Sequence, residues 1–296
     1  MPISSEIVGR VGEPVVHAID ARWTMAYAAC LGDLTPEYLD TRVRPDVLAH
    51  PLFPVCYEWP LFLDPLCMPT DLPGEERVRG VHFTHDVTLH RPIRAGLELT
   101  TQATLVKVEA RRSGAYQLAR LDTVDSDGDM VSTTWYGMLL RGVEVVGGDR
   151  RLDDAGPEIE AAPNLALEQV HGHGNESSRE YSIPIAANAA LVYTECARIW
   201  NPIHTDAAVA EAAGLPEPIL HGTASLALAV SRVVAECFGG EAERVERIGG
   251  RFGAMVRMPS TLTLRIGPVK GDSVRFEVLE PGGGRAVRDG LVVVRT

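Results

Sequence analysis

The sequence predicts an α+β fold in which each half of the chain packs one long buried helix on a curved antiparallel sheet. Three observations lead there. Strand-like runs occur in two groups, each after a helical stretch. One segment, Thr223 to Cys237, carries Leu226, Val230, Val233, Val234 and Cys237 at spacings of three and four, the signature of one helix face. Two short segments, Gly32 to Asp40 and Arg198 to Asp206, align without a gap.

In chain order, a helical approach containing Tyr27 leads to Gly32-Asp33-Leu34-Thr35-Pro36 and then to His50-Pro51. Strand-like runs follow at 81–89, 98–109, 114–123 and 130–140, rich in Val, Leu, Thr and aromatic residues and broken by turns such as Asp125-Ser126-Asp127-Gly128. The stretch 147–178 is rich in Gly, Pro, Asn and acidic residues without a period, and reads as a linker. The second half repeats the order: an approach with Tyr193, then Asn201-Pro202, then His221-Gly222 opening the long helix, which Gly239-Gly240 stops. Its strands are expected at 249–256, 262–266, 273–279 and 286–294, with Pro281-Gly282-Gly283-Gly284 as a hairpin turn. The expected organisation is thus a first repeat at 1–146, a linker at 147–178 and a second repeat at 179–296. Within the alignment Pro36 falls on Pro202, Asp40 on Asp206, Thr35 on Asn201, Tyr38 on His204 and Asp33 on Ile199.

Composition narrows the function. The chain has 296 residues, 45% of them hydrophobic, enough for a large core. With 28 Lys and Arg against 40 Asp and Glu, the net charge is -12, a poor match for nucleic acid or an anionic membrane. No apolar run approaches the roughly 20 residues of a membrane span, and no secretory signal is visible. The five scattered cysteines form no close pair, which reads as reduced thiols in a cytoplasmic protein without a metal site. No dinucleotide-type glycine loop is present, so no cofactor is expected. Ser225 and Ser231 lie on the long helix outside any nucleophile-elbow pattern, against serine hydrolase chemistry.

Tyr193, Asn201-Pro202-Ile203-His204-Thr205-Asp206 and Pro218-Ile219-Leu220-His221-Gly222 together resemble the hydratase 2 motif of the MaoC-like dehydratase family. The first half resembles that family's degenerate N-terminal repeat, through Ala26-Tyr27-Ala28-Ala29, Gly32-Asp33, Pro51-Leu52-Phe53-Pro54, His82 and Leu89-His90-Arg91-Pro92-Ile93-Arg94-Ala95-Gly96. The resemblance covers nearly the whole chain except the linker. It implies a double hotdog and a lyase, a hydratase or dehydratase of lipid metabolism acting on enoyl or 3-hydroxyacyl thioesters of coenzyme A or acyl carrier protein. A homodimer is plausible, since sheets of this kind often pair.

Such a reaction needs a proton carrier, a positioned water and donors for the developing enolate oxygen. His204 is the candidate carrier, since imidazole handles protons near neutral pH. Asn201 is a candidate to hold water, and by resemblance the Gly222 N–H at the helix start is the oxyanion donor. His221, Arg251 and Arg257 are candidates for substrate binding, the arginines for coenzyme A phosphates. The sequence departs from the family at Arg198-Ile199, where Gly-Asp is usual. Glu195, Asp206 and Asp33 are the substitutes considered, with Glu195 preferred, Asp206 fitting a helix cap and Asp33 belonging to the other repeat. The degenerate first repeat is expected to offer a roomy acyl tunnel. The alternatives are another chemistry on this scaffold, a thioesterase or a Michael-type cyclase, or a noncatalytic acyl-thioester-binding subunit.

Overall fold

The computed structural model describes residues 2–70, 80–156 and 178–296. Its main sheet has eleven strands. From one edge, the first half contributes β2 (Val15–Ala18), β4 (Glu98–Arg111), β5 (Gly114–Asp125), β6 (Met130–Arg141) and β3 (Gly80–Leu89). The order then continues through β10 (Val245–Phe252), β13 (Arg285–Val294), β12 (Ser273–Leu279), β11 (Ser260–Ile266) and β9 (Arg179–Ile185). The second half therefore mirrors the first, and β3 pairs antiparallel with β10 at the centre. Three two-residue strands complete the set: β1 (Ile3–Ser4) pairs with β7 (Val145–Val146), and β8 (Arg150–Arg151) pairs with β4.

The strands form because their apolar residues alternate. In β11, Leu262, Leu264 and Ile266 are buried while Thr261, Thr263 and Arg265 are not. The turns expected at 125–128 and 281–284 join β5 to β6 and β12 to β13. In the second, the Glu280 carboxylate accepts from the N–H groups of Gly282 and Gly284, each at 2.7 Å.

Among the described residues there are six α-helices. The first half has α1 (Ala21–Cys30), capped by Asp20 accepting from Trp23 N–H at 2.8 Å, then α2 (Pro36–Leu39) and α3 (Pro54–Leu63). The second has α4 (Ala189–Ala197), α5 (Ala207–Ala212) and α6 (Gly222–Cys237). The expected long helix is α6, starting one residue earlier than the spacing predicts. Its counterpart α3 is shorter, 10 residues against 16, and contains Pro60. One apolar cluster runs from Tyr27, Phe53 and Tyr57 in the first half to Leu226, Val230 and Ile248 in the second.

The strand expected at 249–256 is β10, four residues earlier. Its two glycines lie inside the strand because neighbours leave no room for side chains. A Cβ on Gly249 would stand 2.9 Å from Asp86 Oδ2, and one on Gly250 would meet Leu226. Beside them, Arg247 Nε and an Nη donate to the two Asp86 oxygens at 2.8 and 2.7 Å, tying β10 to β3. The expected linker lies largely outside the described residues. Among the described residues no helix is long and apolar enough to cross a membrane.

Candidate active site

The site grows from the tip of α6. His221 caps this helix and Gly222 is its first residue, so the Gly222 N–H has no intrahelical acceptor, and among the described residues it has no other. Gly222 is exposed. Its lack of a side chain has a local cause as well, because a Cβ there would stand 2.9 Å from the Phe252 ring of β10.

His204 lies against this tip. It ends a 3-10 turn, Pro202–His204, capped by the Asn201 side chain, which accepts from Ile203 N–H at 3.4 Å. The His204 Nδ1–H donates to the Ile219 carbonyl at 2.8 Å, which assigns the tautomer and leaves the Nε2 lone pair free. The His204 and His221 rings stack at 3.7 Å between centroids. Burial pushes His204 down to about 4, against the opposing pull of the Ile219 carbonyl, and pushes His221 well below its ordinary value, with His204 adding to the effect. Both imidazoles are neutral at physiological pH.

Tyrosine hydroxyls support this pair from behind. Tyr193 lies under His221 at 4.9 Å, donates to Thr223 Oγ1 at 3.0 Å, and stands 3.4 Å from the Tyr27 hydroxyl of the other repeat. Thr194 Oγ1 is 3.4 Å from His221 Nε2.

Of the residues expected at the site, the structure brings together His204, His221 and Gly222, and Asn201 caps the turn that carries His204. Asp206 caps α5, accepting from Ala208 and Val209 N–H groups. Glu195 is exposed, while Tyr193, Thr194 and Ala197 of the same helix are buried, and no hydrogen bond joins it to His204. Arg257 is exposed, 3.5 Å from Glu217, and follows Val256, whose carbonyl accepts from Leu220 N–H at 2.8 Å, so it stands near the helix tip. Arg251 does not join them. Gly250 and Phe252 face α6, and the residue between them faces away, where Arg251 lies over the Phe83 ring and 3.5 Å from Asp289. Ile199 is buried at 5% exposure and carries no proton-transfer group.

The aligned segment of the first repeat is chemically closed. His50 takes the place of His221, but its Nδ1 accepts from Leu52 N–H at 3.0 Å and its Nε2–H donates to Ser231 at 3.1 Å. Pro51 stands where Gly222 does and has no N–H, and Tyr38 stands where His204 does. Tyr38, His50 and Phe53 are each at most 2% exposed. The roomy tunnel expected beneath the first repeat is therefore filled at this end by aromatic side chains. The two segments also share a backbone turn: Gly32 and Arg198 are both left-handed, at φ 67° and 58°. In the second the Arg198 guanidinium lies 4.2 Å above the Trp23 ring.

The sequence does not single out Phe252, whose ring packs against Gly222 at the helix tip. Phe252 had no motif around it, and its partner Gly222 is 30 residues away in the chain.

Comparison with known proteins agrees with this geometry. A family model described as a MaoC like domain matches residues 169–280, and one described as a FAS1-like dehydratase domain region matches residues 6–134. The chain is 27% identical over 279 residues to 3-hydroxyacyl-thioester dehydratase Y of Mycobacterium tuberculosis, covering 89% of this chain and 87% of that protein. It is 29% identical over 140 residues to enoyl-CoA hydratase ChsH3 of the same organism, covering 47% and 44%. Among solved structures, a MaoC-like dehydratase from Phytophthora capsici superposes with a TM-score of 0.77 at 19% identity, covering 98% of this chain and 96% of that one. A protein of Mycobacterium tuberculosis with a double hotdog fold superposes at 0.64 with 14% identity, covering 97% and 96%. Motif, sheet order and matches along both halves converge: residues 169–280 match a MaoC like domain, residues 6–134 match a FAS1-like dehydratase domain region, and the chain folds as a double hotdog.

Proposed function

We propose that the protein is a hydro-lyase that adds water to a 2-enoyl thioester, or removes it from a 3-hydroxyacyl thioester, with one site per chain in the second repeat. The observation that carries this reading is the free Nε2 of His204, its Nδ1–H held on the Ile219 carbonyl, stacked beside the residue that precedes the Gly222 N–H. In hydration, the neutral His204 takes a proton from water while the water oxygen bonds to the β-carbon. The electron pair moves to the thioester oxygen, where the Gly222 N–H stabilises it. The proton on His204 then passes to the α-carbon, so atoms and charge balance and the imidazole is restored. Asn201 holds the water through its side-chain amide. This one-base route accommodates Ile199 and needs no role for Glu195. Arg257, at the edge of the helix tip, suits the phosphates of coenzyme A or of a carrier protein's pantetheine.

Two readings compete with it. Burial of Ile199 at the position aligned with Asp33 favours a noncatalytic thioester-binding subunit. A thioesterase on the same scaffold is the other rival. Purified protein incubated with crotonyl-CoA and longer 2-enoyl-CoAs separates the three. Loss of the conjugated absorbance without release of thiol is the expected result. Thiol release identifies a thioesterase, and binding without turnover identifies a binding subunit.

A further inference from the structure

Beneath the first half of the sheet lies a group of polar side chains that the reaction above does not use. His82 and His85 come from β3, Tyr136 from β6, and Glu58 and Phe62 from α3. The Tyr136 ring packs on Phe62 with centroids 4.0 Å apart and stacks on His82 at 3.9 Å. His85 is opposite Tyr136 in the ladder, and its ring is 5.4 Å from His82. Glu58 accepts from Thr134, which is two residues along β6 from Tyr136 and so on the same face.

Several imidazole nitrogens here lack a hydrogen-bond partner among the described residues. His85 is 0% exposed, yet among the described residues neither ring nitrogen has a hydrogen bond, and neither does His82 Nε2. Ser225 on α6, one turn beyond Gly222, is 1% exposed and its hydroxyl is also unpaired among the described residues. A buried polar atom left unpaired costs about 1–3 kcal/mol, and native interiors hold few of them. Burial pushes His85 down to about 4 and Glu58 up to about 8, so both are uncharged at neutral pH. A neutral imidazole offers one donor and one acceptor.

The cluster is continuous with the reaction centre. The Phe252 ring touches the space above Gly222 on one side and lies 4.6 Å from the His82 ring on the other. His82, Tyr136 and Phe62 each keep part of their surface accessible. Aromatic walls with a few convergent polar atoms are what a small-molecule site requires.

We propose that this cluster receives the far end of the acyl group, and that the preferred substrate carries an oxygen function in its tail, a hydroxyl or keto group, hydrogen-bonded by His85 and His82. The inference rests on the acyl-thioester reading and names its substrate class. A plain alkyl tail leaves the imidazole nitrogens unpaired. A hydroxyl satisfies both a donor and an acceptor.

The test compares 2-enoyl-CoA thioesters of equal tail length, plain against hydroxylated, with the hydroxyl moved along the tail across the series. The expected result is a preference in kcat/KM of about tenfold or more for one hydroxyl position, the scale of one buried hydrogen bond. His85→Leu removes the preference, and His85→Gln, which keeps a donor and an acceptor, retains part of it. The readout is a ratio of two substrates on one enzyme, so a folding defect lowers both rates and leaves the ratio. Equal kcat/KM at every position, or a ratio that His85→Leu leaves unchanged, overturns the proposal while the hydro-lyase reading stands. If no enoyl thioester turns over, that reading fails, and calorimetry on saturated acyl-CoA pairs decides the proposal alone: about tenfold tighter binding of a hydroxylated chain supports it, and equal binding overturns it.

Discussion

The imidazoles of His204 and His221 stack at 3.7 Å with an interplanar angle of 25°, and the Ile219 carbonyl fixes which His204 nitrogen carries the proton. In the proposed reaction this arrangement makes His204 a base that is ready at every physiological pH. Its pKa is pushed to about 4 by burial, and the neutral form is the active one. Initial-rate kcat/KM for hydration is therefore expected to be flat from about pH 6 to 8 and to fall only as pH approaches about 4. His204→Ala is expected to lower kcat/KM by about 10²–10⁴ with little change in the melting temperature. An acidic limb near 6.5, the ordinary histidine value, would contradict the buried neutral assignment.

The Gly222 N–H and the Gly222 side-chain space make separable contributions, and Phe252 allows them to be tested apart. A Cβ at Gly222 would stand 2.9 Å from the Phe252 ring, so Gly222→Ala alone disturbs packing. In a Phe252→Leu background the clash is relieved, and Gly222→Ala keeps its N–H and most of its rate. Gly222→Pro in the same background removes the N–H at a helix position that accepts proline. The expected loss in kcat is about 10²–10³ relative to the alanine variant, read by steady-state assay with circular dichroism confirming the fold.

His204 and Gly222 were legible in the sequence because they lie in the short runs Asn201-Pro202-Ile203-His204 and Leu220-His221-Gly222, and α6 was legible because Leu226, Val230, Val233 and Val234 repeat along one face. Position around an element was harder to read than position along it. Glu195 is two residues from Tyr193, and residues so spaced do not share a helix face. Arg251 lies between two inward-facing residues of β10, so the alternation of the strand carries it to the far side. The cluster of Glu58, His82, His85 and Tyr136 was illegible for another reason. It is assembled from three elements, α3, β3 and β6, and although His82 falls within the resemblance of the first half, Glu58, His85 and Tyr136 sit in no pattern of their own.

Asp86 and Arg247 hold the central pair of strands together, and their energetics can be measured. Asp86 is 2% exposed, and burial raises its pKa against the pull of the guanidinium. Arg247→Met leaves that carboxyl buried without its partner, at an expected cost of about 3–5 kcal/mol in urea unfolding. The double variant Asp86→Leu with Arg247→Met removes the buried charge altogether and is expected to recover most of the loss. An Arg247→Met protein as stable as the parent would show that the pair contributes nothing to the junction.

Glu58 makes stability depend on pH in a direction opposite to the buried histidines. It is 1% exposed, and burial lifts its carboxyl from an ordinary 4.5 to about 8, with the Thr134 hydroxyl opposing. Between those values the unfolded chain releases the proton while the folded chain retains it, so stability is lost as pH rises through the window. From pH 4.5 to 7.5 the loss amounts to about 3.5 kcal/mol. His50, His85 and His204, each lowered to about 4, act the other way: below their ordinary 6.5 the unfolded chain takes up protons that the folded chain refuses. Glu58→Gln stays neutral, keeps the shape and still accepts from Thr134. The histidine contribution is common to variant and parent and cancels in their difference. The variant is therefore expected to match the parent near pH 5 and to become progressively more stable than it towards pH 8, as read from urea midpoints at each pH. A difference that does not change with pH would mean that Glu58 is not held protonated.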